Sequence, residues 1–512
     1  MSSPAVSAPR PRRRPSASAR GVAARLRGVP AAAWVCALVA FLNAAAWSLT
    51  SPPFQKPDEP AQWAYVEHLA QTGRPPAEAP ASVRVGESPE EQAAMRDLRT
   101  NEVGPDPANT GVWLALEQRR LQHDLRAGLS RRGDGYSFGA TPQPPLYYAL
   151  AAGAYRLAGG GTFLQRMALA RLLSALLGGV TVLLSWLFLR EALPRRPWTW
   201  TVGALVVALQ PMFAWETSAV NPDALLFAAS AALFLCVARA FRHGLDRRLA
   251  VATGLVVAVG MLAKLTFLSL LPGAALALVL AAVRCERSRG SERPALAGLR
   301  LPALAAAVAA GPLLVVTLLN VAAWQRPAIG LIAGNGGRFS QGSLLRHLTY
   351  AWESYLPRVP GMARLFDHDM TLAHFDELIG RFGTAPSFPA WLMHLAVGVA
   401  AVVIVLALRE LARSRAVVRR RLGELLCYAA MAAGLQLLVT AQYYATEVLF
   451  GNTGEVHQVR YFFPLLPLYA AVAALAVRGA GRRMYVVGGA IVVLAVAHDV
   501  WAQLLLVGRF YG

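Results

Sequence analysis

The chain has 512 residues, of which 55% are hydrophobic and 15% are charged, and its formal net charge is +21. Apolar runs of roughly 16 to 23 residues recur along it, close to the length that a helix needs to cross a bilayer. Arginine clusters separate these runs, as in the positive-inside pattern of membrane proteins. This distribution argues against a nucleic-acid partner and predicts an all-α polytopic membrane protein embedded in the lipid bilayer.

Residues 1–30 are rich in Ala, Ser, Pro and Arg and are predicted to form a disordered basic tail on the cytoplasmic side. The transmembrane domain is predicted to cover 31–512. Its first apolar run, 31–49, is long for a signal peptide and is followed by the sequence SPPF at 51–54, not by a small-residue cleavage site. We therefore predict that this run is an uncleaved first span.

Twelve spans are predicted, at 31–49, 144–158, 167–189, 198–215, 222–241, 248–263, 266–283, 301–323, 389–408, 422–443, 461–477 and 484–507. Twelve crossings return the C-terminus to the cytoplasm, whereas the arginine-rich loop 478–483 places it outside. A break at Gly178-Gly179 would give thirteen crossings and remove the conflict. The sequence alone therefore predicts a bundle of about 11–13 transmembrane helices and leaves the count between 144 and 197 open.

The positive-inside rule places five segments on the extracytoplasmic face: 51–143, 216–222, 263–266, 324–388 and 444–460. The first is too long for a passive connection and is predicted to contain helices at 61–71, 89–98 and 112–129. The helix at 61–71 is expected to lie along the membrane surface, with Trp63 and Tyr65 at the lipid interface.

Asp58 and Glu59 form an acidic pair between Pro57 and Pro60, just beyond the first span. Adjacent carboxylates are costly near hydrocarbon and mark a pathway or a reaction centre. The prolines predict that the pair stands at a helix start, where the helix dipole favours negative charge. The alternative interpretation is a solvated helix cap.

Six sequence blocks carry a family resemblance, at 52–76, 141–157, 170–188, 210–227, 262–278 and 454–469. Together they resemble the bacterial membrane family of unknown function 2142, which is similar to glycosyltransferases of the GT-C superfamily. The resemblance implies a GT-C-like bundle with a helical extracytoplasmic first loop in the bacterial cytoplasmic (inner) membrane. It also implies transfer of a sugar from a polyprenyl-phosphate-linked donor to a cell-envelope glycan or another acceptor.

Such a transfer needs a base for the acceptor hydroxyl and a cation for the leaving phosphate. Asp58 is assigned as the base, and Glu59 is expected to orient it or to bind acceptor. Arg460 is assigned to the phosphate because a guanidinium suits bidentate phosphate contacts, the alternative being an anchor at the lipid headgroups. His457 and Tyr461 stand beside it and are expected to contribute to substrate binding.

Lys264 is a lone lysine inside an apolar stretch and is assigned as a second cation for the substrate. Asp223 opens the fifth predicted span and is expected to bind sugar hydroxyls or to pair with Lys264; the alternative is an ordinary helix N-terminal acid. Glu216 is interpreted as an ordinary loop acid. The pair His498-Asp499, within the last span, is interpreted mainly as a contact to another helix.

Metal dependence stays open at this stage, with a divalent cation as one possible cofactor. Asp367, His368 and Asp369 are of ligand type but lack a fixed metal-binding spacing, which favours a solvated loop. Many members of the family that the chain resembles carry His where this chain has Gln62. The alternative function is a transporter or flippase of lipid-linked glycans, which should show charges in mid-membrane and related halves. The charges collect at one face and no repeat is visible, which favours the enzyme.

Overall fold

The computed structural model describes residues 28–56, 58–77, 86–103, 114–136, 140–194, 196–290, 294–326, 344–356, 358–362, 370–379, 388–450 and 458–511. All regular elements in these ranges are helical. The first half contains α1 (Ala31–Thr50), α2 (Glu59–Thr72), α3 (Pro89–Asp97), α4 (Thr100–Val103), α5 (Ala115–Arg126), α6 (Leu146–Leu157), α7 (Phe163–Ala192), α8 (Pro197–Ala208), α9 (Pro211–Thr217), α10 (Asp223–His243) and α11 (Arg247–Ala263).

The second half contains α12 (Leu271–Ser288), α13 (Pro294–Gly298), α14 (Arg300–Leu318), α15 (Leu344–Tyr355), α16 (Met370–Ile379), α17 (Ala390–Arg413), α18 (Arg415–Arg420), α19 (Leu422–Phe450), α20 (Leu466–Gly479) and α21 (Met484–Tyr511). Three 3₁₀ segments precede long helices: Leu265–Leu270 leads into α12, Val459–Leu465 leads into α20 and Gly481–Arg483 leads into α21. The first two of these segments lie at the candidate site.

Nine of the described helices are long and apolar enough to cross a membrane: α1, α7, α10, α12 with its 3₁₀ segment, α14, α17, α19, α20 and α21. The chain is therefore an all-α polytopic membrane protein, as predicted. Three predicted spans form shorter helices, namely α6 and α8 with 12 residues each and α11 with 17 residues. The predicted turn between two short helices near Lys264 is confirmed, because α11 ends at Ala263 and a 3₁₀ turn follows.

The break at Gly178-Gly179, which the sequence left open, does not occur, because α7 runs without interruption over 30 residues. The two glycines instead permit close helix packing. A Cβ on Gly179 would lie 2.9 Å from the carbonyl oxygen of Ala37 on α1, and one on Gly178 would lie 3.0 Å from the Thr217 side chain. Small residues at such crossings let membrane helices approach closely and gain van der Waals contact.

The predicted span at 144–158 is also wrong, because α6 packs beside the start of α7. The Tyr147 hydroxyl lies 2.8 Å from that of Ser174, and the Tyr155 ring lies under the Arg166 guanidinium at 5.2 Å. These contacts lie eight residues apart on each helix, about 12 Å along the axis, so α6 runs antiparallel to α7. With only 12 residues, α6 reaches no further than the first half of α7 and stays at the same end of the bundle as the first loop.

Removing α6 from the crossings resolves the conflict over the C-terminus. Eleven described helices then run between the two ends of the bundle, counting α8 together with α9. The last of them ends beside the first loop, where Arg509 Nη2 donates a hydrogen bond of 3.1 Å to the carbonyl of Val103. The C-terminal end of α21 thus shares an end of the bundle with the first loop.

The described part of the first loop contains the three predicted helices, as α2, α3 and α5. Trp63 and Tyr65, however, do not face lipid: both side chains are completely buried in the protein. Trp63 packs between the rings of Tyr155 and Phe163 at 5.5 and 5.4 Å, and Tyr65 stacks on Tyr148 at 3.8 Å. The expectation that Trp63 and Tyr65 stand at the lipid interface is therefore wrong, because aromatic packing against α6 and α7 buries both side chains.

Candidate functional site

Asp58 stands immediately before α2 in a left-handed backbone conformation, with φ 60° and ψ 0°. This conformation costs a non-glycine residue roughly 1–3 kcal/mol and is found where surrounding contacts hold it. The side chain makes no capping hydrogen bond to α2. It accepts a hydrogen bond of 2.6 Å from Arg460 Nη2, and it is 55% exposed. The carboxylate is thus turned away from its helix toward a buried cation.

Arg460 lies on the 3₁₀ turn before α20, and its side chain is only 3% exposed. Its second terminal nitrogen, Nη1, lies 3.3 Å from Glu216 Oε2, which also accepts a bond of 2.9 Å from the Asn221 side chain. Two carboxylates therefore compensate the buried guanidinium. This burial excludes the alternative of an anchor among the lipid headgroups.

Lys264 and Asp223 form a second ion pair, with a distance of 2.6 Å from Nζ to Oδ1. Lys264 stands at the break after α11, and Asp223 is the first residue of α10. Lys264 Nζ lies 5.1 Å from the centre of the Tyr461 ring, and the guanidinium of Arg460 lies 5.3 Å from the same ring. Tyr461 thus contacts both cations and joins the two ion pairs into one cluster.

Several buried polar atoms of this cluster have no hydrogen-bond partner among the described residues: Glu216 Oε1, Asp223 Oδ2 and Arg460 Nε. Buried polar groups in native proteins are nearly always paired, so each exception calls for a reason. Three exceptions within one charged cluster indicate groups that a bound polar molecule satisfies.

Glu59 points in a different direction from Asp58 and forms a bidentate ion pair with Arg171 of α7, at 2.8 and 2.5 Å. It also accepts hydrogen bonds from the backbone N–H groups of Phe54 and Val220, at 3.0 and 3.1 Å. Both of its oxygens are therefore occupied. Glu59 ties the start of α2 to α7 and to the segment before α10.

Lys56 also belongs to this region, although the sequence analysis did not identify it. Its side chain is buried, and Nζ donates hydrogen bonds to the carbonyl and the hydroxyl of Ser218, at 2.8 and 2.5 Å. Burial lowers the pKa of Lys56 well below its ordinary value, and the nearby Arg171 lowers it further, against the opposing charges of Glu59 and Glu216. The signal available in the sequence was its position two residues before Asp58.

The pKa of Asp58 reflects two opposing effects. Burial raises it, but the charge and the hydrogen bond of Arg460, with the charge of Lys264, lower it by more, so that the net pKa lies below the ordinary value of 3.8. Asp58 is therefore ionised at neutral pH and is a weak base for as long as it is paired with Arg460. An anion that replaces Asp58 as the partner of Arg460 raises the pKa of the Asp58 carboxylate and makes it a stronger base.

The other residues considered from the sequence have structural contacts. Asp499 accepts hydrogen bonds from Trp47, Asn43 and Gln503 at 2.9, 3.1 and 3.0 Å, so it joins α21 to α1 as interpreted. His498 Nε2 lies 2.6 Å from the carbonyl oxygen of Ile379. Both residues therefore connect helices away from the charged cluster.

His457 and the triplet Asp367, His368 and Asp369 lie outside the described residues. Within the described part of the chain, no group of three or more His, Cys, Asp or Glu side chains could hold a metal ion. The assignment of His457 to substrate binding stays a prediction. Gln62 makes a short hydrogen bond with the hydroxyl of Tyr148 within the aromatic packing of α2.

Comparison with known proteins identifies the family. The model of the family described as "Predicted membrane protein (DUF2142)" matches residues 41–469. Because this match covers most of the sequence, the chain belongs to that family. A search of the curated proteins finds no match.

Among solved structures, the chain is similar to the oligosaccharyltransferase AglB of Archaeoglobus fulgidus in complex with an inhibitory peptide and a dolichol-phosphate. The TM-score is 0.43 at 14% identity, over 93% of this chain and 56% of that chain. It is also similar to the apo form of the Archaeoglobus fulgidus oligosaccharyltransferase, with a TM-score of 0.39 at 12% identity over 93% and 56% of the two chains. The chain thus spans about half the length of these structures.

Proposed function

We propose that the protein is a membrane glycosyltransferase that takes a sugar from a polyprenyl-phosphate-linked donor. The acceptor is a cell-envelope glycan or another hydroxyl-bearing molecule on the extracytoplasmic face of a bacterial inner membrane. The observation that carries the proposal is the cluster of Asp58, Arg460, Lys264 and Asp223. It combines a half-exposed carboxylate, two largely buried cations and unsatisfied polar atoms. This is the chemistry that transfer from a phosphate leaving group requires.

In the proposed reaction the acceptor hydroxyl attacks the anomeric carbon of the donor sugar and the bond from that carbon to the phosphate oxygen breaks. Asp58 receives the hydroxyl proton as general base, and the polyprenyl phosphate leaves with the bonding electron pair. Arg460 and Lys264 stabilise the charge that develops on the leaving phosphate. No covalent sugar–enzyme intermediate is needed, so the anomeric configuration inverts.

The ion pair between Asp58 and Arg460 supports a coupling between donor binding and base activation. A donor phosphate and the Asp58 carboxylate compete for the same guanidinium nitrogen, Arg460 Nη2, which lies 2.6 Å from Asp58 Oδ2. When the phosphate replaces Asp58, the loss of this pairing raises the pKa of Asp58 and makes it a stronger base. The base then becomes active only when the donor is in place.

Asp223 and Glu216 supply the acceptor atoms that sugar hydroxyls require, since Asp223 Oδ2 and Glu216 Oε1 have no partner among the described residues. Glu59 is proposed to position Asp58 rather than to bind acceptor, because its oxygens are occupied by Arg171 and two backbone N–H groups. Tyr461 holds the two cations at a common distance from its ring.

The positive-inside rule supports the extracytoplasmic placement of this site. The cluster forms at the end of the bundle that carries the first loop, whereas the arginine-rich segments 239–248, 284–290 and 409–421 lie at the opposite end. A lipid-linked donor therefore meets the cluster where the tail can stay in the bilayer and the sugar reaches water.

The test compares a strain that produces the wild-type protein with strains that produce Asp58→Asn or Glu102→Gln. Two quantities are measured: the glycan composition of the cell envelope, and the transfer of sugar from radiolabelled lipid-linked donors in isolated membranes. Asp58→Asn keeps the shape and removes the base, so transfer should fall about 10²–10⁴-fold at unchanged membrane abundance. Glu102→Gln removes an exposed carboxylate of the first loop and should leave transfer unchanged. Transfer within a few-fold of wild type in Asp58→Asn would contradict the assignment, and translocation of lipid-linked glycan without transfer would identify a flippase instead.

A further inference from the structure

A cavity of about 530 Å³ lies at the arginine-rich end of the bundle, where α7 and α10 end and α12 meets the α18–α19 junction. Its charged lining consists of Arg242, Arg284, Arg287, Arg420 and Arg421 together with Glu191 and Glu424. Five arginines against two glutamates leave an excess of three positive charges. The cavity is therefore a basic site on the opposite side of the molecule from Asp58.

The two glutamates of the cavity are already compensated by neighbouring groups. Glu191 accepts a hydrogen bond of 3.1 Å from His243 and lies 3.6 Å from both Arg239 and Arg242. Glu424 forms a bidentate pair with Arg421, at 2.6 and 2.8 Å. Neither carboxylate is free to neutralise the remaining arginines.

Arg284, Arg287 and Arg420 have no ion-pair partner among the described residues, and all three are exposed. Arg284 and Arg287 are one turn apart on α12, and Arg420 faces them from the end of α18. Three guanidinium groups around one cavity suit an anion with several oxygens, because each planar group can donate two parallel hydrogen bonds.

The membrane side of the same cavity is apolar. Leu280 lies one helical turn before Arg284 on α12, is 40% exposed, and lines the cavity together with Val283 and Phe241. A molecule that fills the cavity thus meets charge at the aqueous end and hydrocarbon one turn deeper. A lipid, with an anionic headgroup attached to an acyl chain, matches a cavity that is charged at one end and apolar at the other better than a free ion does.

The cavity is separate from the proposed catalytic cluster. The helix α10 begins with Asp223 at that cluster and contains Arg242 in its last turn at the cavity. Its 21 residues span about 30 Å, the thickness of the hydrocarbon core. A ligand bound in the cavity therefore belongs to the other leaflet.

We propose that this cavity binds the phosphate headgroup of an anionic phospholipid, with one acyl chain along Leu280 and Val283. Arg284, Arg287 and Arg420 hold the phosphate. Such a lipid bridges α12 to the α18–α19 junction and neutralises an excess of charge that the described residues leave uncompensated.

The experiment uses the full-length protein in a neutral detergent and measures binding of short-chain phosphatidylglycerol by native mass spectrometry, with phosphatidylcholine and inorganic phosphate as competitors. The test variant combines Arg284→Gln, Arg287→Gln and Arg420→Gln. The matched control combines Arg415→Gln, Arg419→Gln and Arg482→Gln, which removes the same charge from exposed positions that do not line the cavity. A third variant with Lys at the three test positions keeps the charge.

Affinity for phosphatidylglycerol should fall roughly 100-fold in the test variant, because three arginines that attract the anionic headgroup are removed together. The control should bind within about threefold of wild type, and the Lys variant should fall between the two. Equal losses in test and control variants would show general charge attraction and overturn the proposal. The proposal would also be overturned if phosphatidylcholine displaced the bound phosphatidylglycerol, or if inorganic phosphate displaced it as effectively as phosphatidylglycerol itself does. These competition experiments need only the wild-type protein.

Discussion

Arg460 brings together groups that are far apart in the chain, since it contacts both Asp58 and Glu216 from the turn before α20. A buried guanidinium held by two carboxylates is already oriented for a further anion, because its planar fork is fixed before the substrate arrives. Its role in the proposed reaction depends on that fork as well as on its charge.

Arg460→Lys tests this geometric role. An ammonium keeps the positive charge but loses the bidentate contact to phosphate, so turnover of the lipid-linked donor should fall by roughly 10-fold or more. The measurement is the initial rate of sugar transfer in membranes at matched protein abundance. A rate equal to that of wild type would reduce Arg460 to a structural partner of Asp58.

The sequence predicted some of these residues and missed others for a physical reason. Asp58, Asp223, Lys264 and Arg460 stand at the ends of apolar runs, where a charge is conspicuous. Glu216 looks like any other loop acid, and only the folded chain shows that it is buried against Arg460. Arg171 lay inside a run predicted as a span, and this isolated charge was the signal that could have indicated a buried partner.

At the scale of single elements, the ion pair between Glu59 and Arg171 fixes the start of α2. Both side chains are at most 4% exposed, and Arg171 also donates hydrogen bonds to the backbone carbonyls of Ser48, Ser51 and Pro52. This arrangement joins the end of α1, the start of α2 and the first third of α7. The backbone of Asp58 is thereby held in its left-handed conformation.

Glu59→Gln should therefore lower stability by more than Asp58→Asn, because Asp58→Asn leaves Arg460 paired with Glu216. Removing one partner of a buried ion pair leaves an uncompensated charge and costs about 3–5 kcal/mol. The measurement is thermal unfolding of the purified proteins in detergent, with Asp58→Asn as the control at the neighbouring, half-exposed position. Equal unfolding temperatures for Glu59→Gln and wild type would show that the pair does not hold α2.

Helix α6 shows why composition misassigns one element. Residues 144–158 are as apolar and aromatic as a span, yet Tyr147, Tyr148 and Tyr155 are buried against α2 and α7 rather than against lipid. Burial in protein and burial in lipid select the same residue types, so hydropathy alone cannot separate them. α6 has only 12 residues, and unlike α8, which α9 continues, it is followed by α7 running back along it, so it is too short to cross.

At the scale of the whole molecule, the long apolar runs were sufficient to predict an all-α bundle, and the arginine clusters predicted one charged end. The number of crossings could not be derived from the sequence, because it depended on whether α6 packs on α7. With eleven described helices running between the ends, the arginine-rich turns and the candidate site fall on opposite faces.

This orientation predicts the labelling of single cysteines in cells. In a variant without the four native cysteines, a cysteine at Ala127, exposed after α5, should react with an impermeant thiol reagent in intact cells. A cysteine at Ser288, exposed at the end of α12, should react only after the membrane is opened. The reverse pattern would place the candidate site in the cytoplasm and exclude an extracytoplasmic reaction.

The central claim is that the phosphate of a lipid-linked donor replaces Asp58 as the partner of Arg460. The binding of a short polyprenyl phosphate tests this claim most directly. Farnesyl phosphate should bind to the purified wild-type protein in detergent and should not be displaced by farnesol, which lacks the phosphate. Asp58→Asn should bind it more tightly, roughly severalfold to tenfold, because a neutral amide competes less well for the guanidinium. Arg460→Gln should bind it at least tenfold more weakly. Equal affinity of all three proteins, or equal competition by farnesol, would contradict the claim.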